Sequence, residues 1–254
     1  RAFRRAVAGG AKEIYLTSQD TAAYGLDIGY TLPKLLKLLL RTPGEYRIRI
    51  GMFNPLPLRA ILNDLLPIYR DPRIYKFVHL PVQSGDDDIL RAMRRGYTVA
   101  EFVSQVEKIR SAIPDVQLVT DIIVGYPGET EEAFENTVKL IERVRPDRVH
   151  VARFSARLHT PASSLKQLPD DVKKRRSETL SRLVLKIGYE NNLRYVGMEQ
   201  RVLIVGRSPK GQLEARTDTY RIVILDNADK RLIGKFVDVK IVDAGPFYLK
   251  GVLV

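Results

Sequence analysis

Two residue periodicities alternate over the first 155 residues, and this alternation constrains the fold more than any other feature. Short runs rich in β-forming residues are separated by longer runs with apolar residues at helical spacing. The pattern is typical of parallel βαβ units, because parallel strands need a crossover connection. It predicts an open doubly wound sheet or an incomplete barrel, and both place ligand-binding loops at the carboxyl ends of the strands. Strands are predicted at 13–18, 47–51, 76–82, 116–125 and 148–154, and helices at 32–40, 57–69, 87–94, 99–112 and 131–144.

Two of these helices carry start signals in the sequence. The strings from Ser84 to Asp87 and from Thr98 to Glu101 both match a capping box ahead of apolar residues. A longer basic helix is predicted from Asp170, as its cap, to about residue 195. Helix starts can therefore be assigned with some precision.

The periodicity changes from helical to alternating after Gly197. Five short strands are predicted at 200–207, 212–217, 221–225, 236–242 and 247–254, which indicates a small antiparallel β-barrel of the oligonucleotide-binding (OB) class. We therefore predict two domains, with residues 1–196 forming an α/β domain and residues 197–254 forming the small barrel.

Charge and cysteine content narrow the function. The formal net charge is +12, which favours a polyanion such as nucleic acid as partner, although a basic face on an enzyme with a nucleotide cofactor would be similar. Cysteine is absent, so these residues hold no disulfide, cysteine nucleophile, zinc thiolate or cysteine-bound iron–sulfur cluster. No apolar run of membrane-spanning length and no signal peptide occur, so we expect a cytoplasmic protein without a membrane partner.

Polar residues cluster where the predicted strands end. Gln19 lies in a loop dense in hydrogen-bonding groups, which would also suit an ordinary capped turn. No nucleophile–base pair or paired carboxylates occur, so hydrolysis is poorly supported. For His79 we favour a packed, hydrogen-bonded histidine over a metal ligand, and we predict no metal site. The candidate ligand-binding residues at these ends are Gln19, Gln83, Ser84, Asp121, Gly125 and Phe154.

Several strings together resemble the methylthiotransferase branch of the radical S-adenosylmethionine enzymes, closest to the threonylcarbamoyladenosine tRNA methylthiotransferases. The strongest are Leu-Thr-Ser-Gln-Asp-Thr at 16–21, His-Leu-Pro-Val-Gln-Ser-Gly at 79–85, Arg-Gly-Tyr at 95–97 and Thr-Asp-Ile-Ile-Val-Gly-Tyr-Pro-Gly-Glu-Thr at 120–130. They follow in order along nearly the whole chain. Leu158 and His159 depart from the family, which usually has Pro-Gly there, so the role of Arg157 is open.

The resemblance implies a partial TIM-like (β/α) barrel of radical S-adenosylmethionine type, truncated at its N-terminus, followed by a TRAM domain that binds tRNA. It implies S-adenosylmethionine bound by the six residues named above and two [4Fe-4S] clusters held by cysteines that would precede Arg1. It further implies an electron donor and methylthio transfer to C2 of N6-threonylcarbamoyladenosine beside the anticodon. This chain alone is expected to be inactive.

Basic residues of the long helix and the small barrel are the predicted RNA contacts, and a base is predicted to stack on Tyr220 or Phe247. A solvated basic surface is the other interpretation. A cluster-free RNA-binding module derived from the same family remains an alternative function, whereas an isomerase or aldolase would need a lysine or paired acids at strand ends, and none is found. The predicted phosphate contacts are Lys173, Lys174, Arg175, Arg176, Arg207, Lys210, Arg216 and Lys235.

Overall fold

Five parallel strands with helices between them form the larger part of the molecule. The computed structural model describes residues 1–157, 160–226 and 229–254. Strands β1 and β2 pair in parallel, as do β3, β4 and β5, and single bridges from Ile48 to Ile74 and from Met52 to His79 join the two groups. The α/β prediction is therefore confirmed, with the strands side by side in chain order as in part of a barrel. The elements are α1 Ala2–Ala8, β1 Glu13–Leu16, α2 Leu32–Leu39, β2 Arg47–Ile50, α3 Pro55–Leu65, β3 Phe77–His79, α4 Asp87–Ala92, α5 Val99–Ala112, β4 Gln117–Val124, α6 Glu131–Val144, β5 Arg148–Arg153 and α7 Asp170–Leu193.

Helix starts follow the capping rules with two corrections. Thr98 and Glu101 form the predicted reciprocal capping box of α5. The cap of α4 is Asp86, whose carboxylate accepts from two helical amides, and not Ser84. Asp170 is the first helical residue of α7 rather than its cap, which is Pro169. Asp86 directly precedes the helix and so reaches the amides of Asp88 and Ile89, whereas the hydroxyl of Ser84, two residues earlier, accepts from the amide of Asp86.

The apolar core lies between the strands and the helices, and it leaves the inner face of the barrel polar. Along β4 the side chains of Leu118, Ile122 and Val124 are fully buried towards the helices, whereas Asp121 and Ile123 on the other face are partly exposed. Since strand side chains alternate, one face packs and the other is available for ligands. The functional side chains of the strands are therefore expected on the inner face.

A closed five-stranded barrel forms the C-terminal part. Its strands are β6 Glu199–Arg207, β7 Leu213–Thr217, β8 Ile222–Leu225, β9 Phe236–Ala244 and β10 Leu249–Leu253, in the order β10-β8-β7-β6-β9. The predicted barrel is confirmed, but β8 and β10 pair in parallel, so it is mixed rather than purely antiparallel. Closure requires a parallel pair, because strand directions cannot alternate all the way round a ring of five strands.

The small barrel is docked on the amino ends of the large-domain strands through buried polar contacts. Arg221 donates to Asp147, just before β5, at 2.7 Å and to Asn192 of α7 at 2.9 Å. The side chains of Arg221 and Asp147 are only 3% and 4% exposed. Gly188 of α7 allows the carbonyl of Pro246 to approach so closely that a Cβ there would lie 2.6 Å from it. The two parts therefore share a specific, desolvated interface.

The turn between β7 and β8 closes the amino end of the large barrel. Tyr220 at its tip has a left-handed φ of 65° and packs edge-on against Tyr75 and Phe77, with ring centroids 4.9 Å apart in both cases. Its hydroxyl donates to that of Tyr15. Beside it, Arg47 donates to Asp218 at 2.8 Å. We call residues 217–221 the docking turn.

Two remaining expectations concern membrane spans and the loop after β5. Across the described ranges, none of the helices has the length and apolar character needed to cross a membrane. The departure from the family pattern at Leu158 and His159 lies outside the described residues.

Candidate functional site

A groove of about 470 Å³ lies at the carboxyl ends of β4 and β5. Ile123 and Ala152 line it with Phe154, whose ring packs edge-on against Tyr126 at 5.0 Å between centroids. Arg95 borders the groove, and its buried Nε has no hydrogen-bond partner within the described residues. An apolar wall beside an unpaired guanidinium suits a ligand that combines an aromatic ring with a carboxylate. We call this groove the upper cleft.

Gln83 stands next to this region in a strained backbone conformation. Its φ is 74°, which is unusual for a residue with a side chain. Hydrogen bonds across the sheet hold it there: its amide donates to Asp121 and its carbonyl accepts from Ile123, at 2.8 and 2.9 Å. Strain of this kind costs about 1–3 kcal/mol and concentrates at functional sites. The left-handed turn places a partly exposed amide side chain at the end of β3.

The other predicted cofactor-binding residues divide into exposed and buried ones. Gln19 is exposed in the loop after β1, whose Asp20 accepts from the amides of Ala22 and Asn54. Ser84 is fully buried, with its hydroxyl 3.5 Å from that of Thr137 in α6. The Cβ position of Gly125 is filled by the side chain of Lys173. The structure therefore does not favour Ser84 or Gly125 as ligand contacts.

A hydrogen-bonded His–Asp–His cluster lies midway along the inner face. Asp121 Oδ1 is 2.7 Å from Nε2 of His79 and 2.9 Å from Nδ1 of His150. Burial opposes ionisation of Asp121, but the hydrogen bonds from His150 and His79 outweigh it and hold the pKa of this carboxyl well below its usual range. The prediction that His79 is hydrogen-bonded is confirmed. One ligand atom from each of the three residues also lies within 4.8 Å of the others, close enough for them to converge on a cation.

Below this cluster, a cavity of about 270 Å³ separates the inner face from the docking turn. His79, His150 and Tyr220 are among the residues that line it. Arg49, Arg148 and Arg216 bring positive charge to its wall. We call it the inner cavity.

The predicted RNA contacts differ in how accessible they are. Lys173 and Arg176 are 8% and 4% exposed, and Arg176 pairs with Glu129 at 2.6 Å and with Glu131. Arg216 is partly buried and pairs with Glu214 at 2.7 Å. Lys173 and Arg176 are held in ion pairs, and Arg216 faces the inner cavity, so none of the three is open to a phosphate on the outer surface. The exposed ones are Lys174, Arg175, Arg207, Lys210 and Lys235.

An open groove on the small barrel suits a nucleic-acid strand. It measures about 560 Å³ and is lined by Lys210, Phe247, Tyr248 and Lys250, and it meets the inner cavity at Arg148. Phe247 is 37% exposed, with the guanidinium of Arg148 5.1 Å from its ring centroid. Tyr220, in contrast, is packed into the barrel and is not free to stack on a base. We call this the outer groove.

Sequence reasoning missed Arg95, Arg49 and His150 as site residues. For His150 a signal existed, because it lies opposite Asp121 in the parallel register of β4 and β5. Arg49 follows Arg47 at strand period two, which places both on the inner face. Arg95 lies in the Arg-Gly-Tyr string, outside any predicted strand, so the sequence gives no indication of which way its side chain faces.

Comparison with known proteins gives two family matches. Residues 1–141 match the Radical SAM superfamily, and residues 193–254 match the TRAM domain.

Proteins of similar sequence are named threonylcarbamoyladenosine tRNA methylthiotransferases. The "Probable threonylcarbamoyladenosine tRNA methylthiotransferase" of Pyrococcus horikoshii is 47% identical over 98% of this chain and 58% of its own length. A protein of the same name from Archaeoglobus fulgidus is 47% identical over the whole chain and 59% of its own length. The Homo sapiens "Threonylcarbamoyladenosine tRNA methylthiotransferase" is 37% identical over 95% of the chain and 42% of its own. The chain thus spans about three fifths of the archaeal relatives.

Proposed function

The chain belongs to the radical S-adenosylmethionine superfamily, and from that premise we propose that it is the cofactor- and RNA-binding part of a tRNA methylthiotransferase acting on N6-threonylcarbamoyladenosine. One observation carries the proposal: a cofactor-sized cleft lies at one end of the inner face and a docked TRAM barrel lies at the other. A base delivered by the TRAM end would meet the cofactor inside the barrel. We further propose residues 1–196 and 197–254 as the two domains and the cytoplasm as the location.

The upper cleft fits S-adenosylmethionine by the chemistry of its lining. Ile123 and Phe154 offer apolar contact for adenine, while the unpaired Nε of Arg95 matches a carboxylate. Gln83 offers both a donor and an acceptor for the remaining polar groups. When bound, S-adenosylmethionine together with an iron–sulfur cluster supplies radical chemistry and the transferred methyl group. The 254 residues contain no cysteine, so they provide no thiolate for the clusters, and electrons would come from a separate donor.

For RNA binding we propose that the backbone of a single-stranded RNA segment lies along the outer groove. Lys210 and Lys250 flank the exposed ring of Phe247, the combination of cations and aromatic surface that binds single-stranded nucleic acid. Lys174, Arg175, Arg207 and Lys235 would add phosphate contacts at the periphery.

Grafting tests this function directly. The aligned region of the Pyrococcus horikoshii relative would be replaced by this chain, and tRNA nucleosides would be analysed by mass spectrometry for the methylthio product. We expect product with the graft, and none when Arg95→Gln is introduced, whereas Arg143→Gln on the outer face of α6 should leave product formation intact. A folded graft that binds tRNA but yields no product would favour the alternative, a cluster-free RNA-binding module.

A further inference from the structure

We infer that the inner cavity binds the carboxylate of the threonylcarbamoyl group, with Arg49 and Arg148 as the residues that select this base. The inference rests on the proposed function and adds which residues would recognise the modified base. Threonylcarbamoyladenine differs from unmodified adenine by a substituent ending in a free carboxylate, so a selective site needs a cation where that group arrives.

The arginines of the cavity have unused hydrogen-bonding capacity. Within the described part of the chain, Nε of Arg49 and both Nε and Nη1 of Arg216 are buried without a hydrogen-bond partner. Each buried donor left unpaired costs about 1–3 kcal/mol, so these groups need an acceptor from a ligand or from water. Three of them on one cavity wall indicate an acceptor-rich ligand.

The charges of the lining favour an anion over a cation. Asp147 is the acidic residue of the wall, and Arg221 already neutralises it at 2.7 Å. Glu214 pairs with Arg216. Arg49 lies over the ring of Phe77, 4.8 Å from its centroid, and Arg148 over Phe247, so aromatic faces rather than carboxylates hold their guanidinium groups. The net positive wall also opposes a divalent cation at the His–Asp–His cluster.

The placement of the cavity matches the shape of the base. On the six-membered ring of adenine, C2 and C6 lie on either side of N1, so the bonds that leave these two atoms diverge. With C2 near the upper cleft, the N6 substituent can therefore extend away from the cleft, towards the amino ends of the strands. On β4, Ile123 lines the cleft and Val119 lines the inner cavity. Four residues at about 3.3 Å each separate the two sites by about 13 Å, a span suited to adenine with a long substituent rather than to bare adenine.

A backbone phosphate of the RNA would offer the same chemistry, so the test must separate the two sources. Binding of three short anticodon stem-loops by this chain would be measured: one with threonylcarbamoyladenosine, one with its methyl ester and one with unmodified adenosine. The methyl ester removes the charge and keeps the shape. Arg148→Gln and Arg49→Gln would be compared with Arg143→Gln, which removes an exposed cation from α6.

We expect the unaltered chain to bind the free acid about tenfold more tightly than the ester, since one charge-assisted hydrogen bond is worth about that factor. Either cavity variant should bring the ratio close to one. Arg49 lies outside the outer groove, so Arg49→Gln should keep its affinity for the unmodified stem-loop within about twofold, whereas Arg148 also borders that groove and its variant is judged by the ratio alone. Arg148 is exposed, so its variant should fold even if Arg49→Gln does not. Arg143→Gln should keep the full ratio.

Two outcomes would overturn the inference. Equal affinity of the unaltered chain for the acid and the ester would show that the inner cavity does not bind the carboxylate. Equal weakening of all three stem-loops in both variants would assign the arginines to backbone phosphates instead. Neither result would contradict the methylthiotransferase proposal, which the grafted enzyme tests separately through its product.

Discussion

Replacing Arg221 with leucine should strongly destabilise the protein, because it leaves Asp147 buried without its cation. The two side chains are 3% and 4% exposed, and their atoms are 2.7 Å apart. Removing one partner of such a pair costs about 3–5 kcal/mol, whereas solvent-exposed pairs are worth about 0–1 kcal/mol. At about 2–4 °C per kcal/mol for a chain of this size, the midpoint of thermal unfolding should fall by about 6–20 °C.

Denaturant unfolding followed by circular dichroism would measure this loss. Arg231→Leu is the matched control, since Arg231 is 85% exposed and pairs with Asp229 on the surface. Adding Asp147→Asn to Arg221→Leu should recover part of the stability, because asparagine keeps an oxygen for the amide of Leu118 and removes the charge. A loss below about 1 kcal/mol for Arg221→Leu, or no recovery in the double variant, would refute the reasoning.

Three further predictions concern packing, pH and RNA. Gly85→Ala should cost about 1–3 kcal/mol in denaturant unfolding, since its Cβ would lie 2.5 Å from Thr137 Cα, while Gly206→Ala, with no neighbour within 4 Å, should cost far less; equal losses would contradict this. Because the pKa of Asp121 is lowered in the folded protein, its ionised carboxylate stabilises the fold fully above the unfolded-state pKa of about 3.9. This stabilisation is lost as the pH falls towards the folded-state pKa. The stability gap between wild type and Asp121→Asn should thus be constant from about pH 5 to 6 and shrink below about pH 4, and a gap that widens in acid would refute the assignment. Phe247→Ala should weaken single-stranded RNA binding by about 1–3 kcal/mol in a fluorescence titration, and an unchanged affinity would exclude stacking there.

Element positions were largely predictable because periodicity reports local burial. Helices α5 and α6 begin and end at the predicted residues, and most ends of the ten strands lie within about two residues of the predicted positions. The strand ends of β3 moved furthest, since the chain turns at Gln83 into a conformation that the sequence does not signal. The parallel pair that closes the small barrel was missed because strand direction is a tertiary property.

The site was less predictable, since burial of charge depends on the neighbouring elements. Lys173 and Arg176 belong to the same helical stripe as Leu180, Val184 and Ile187, at spacings of three and four residues. Extending that apolar face towards the start of α7 would have predicted that both cations are buried. Glu129, which neutralises Arg176, comes from another element, and no local pattern connects the two.

The docking turn also limits how the two domains can be recombined. Tyr220 completes an aromatic cluster whose other rings belong to the large domain, and Asp218 and Arg221 each neutralise a charge there. A TRAM barrel transplanted from an unrelated protein would leave Arg47 and Asp147 without their ion-pair partners and an unfilled space beside the rings of Tyr75 and Phe77. Recombination between relatives should therefore preserve residues 217–221 together with the strand starts they meet, so that the two domains are inherited as one unit.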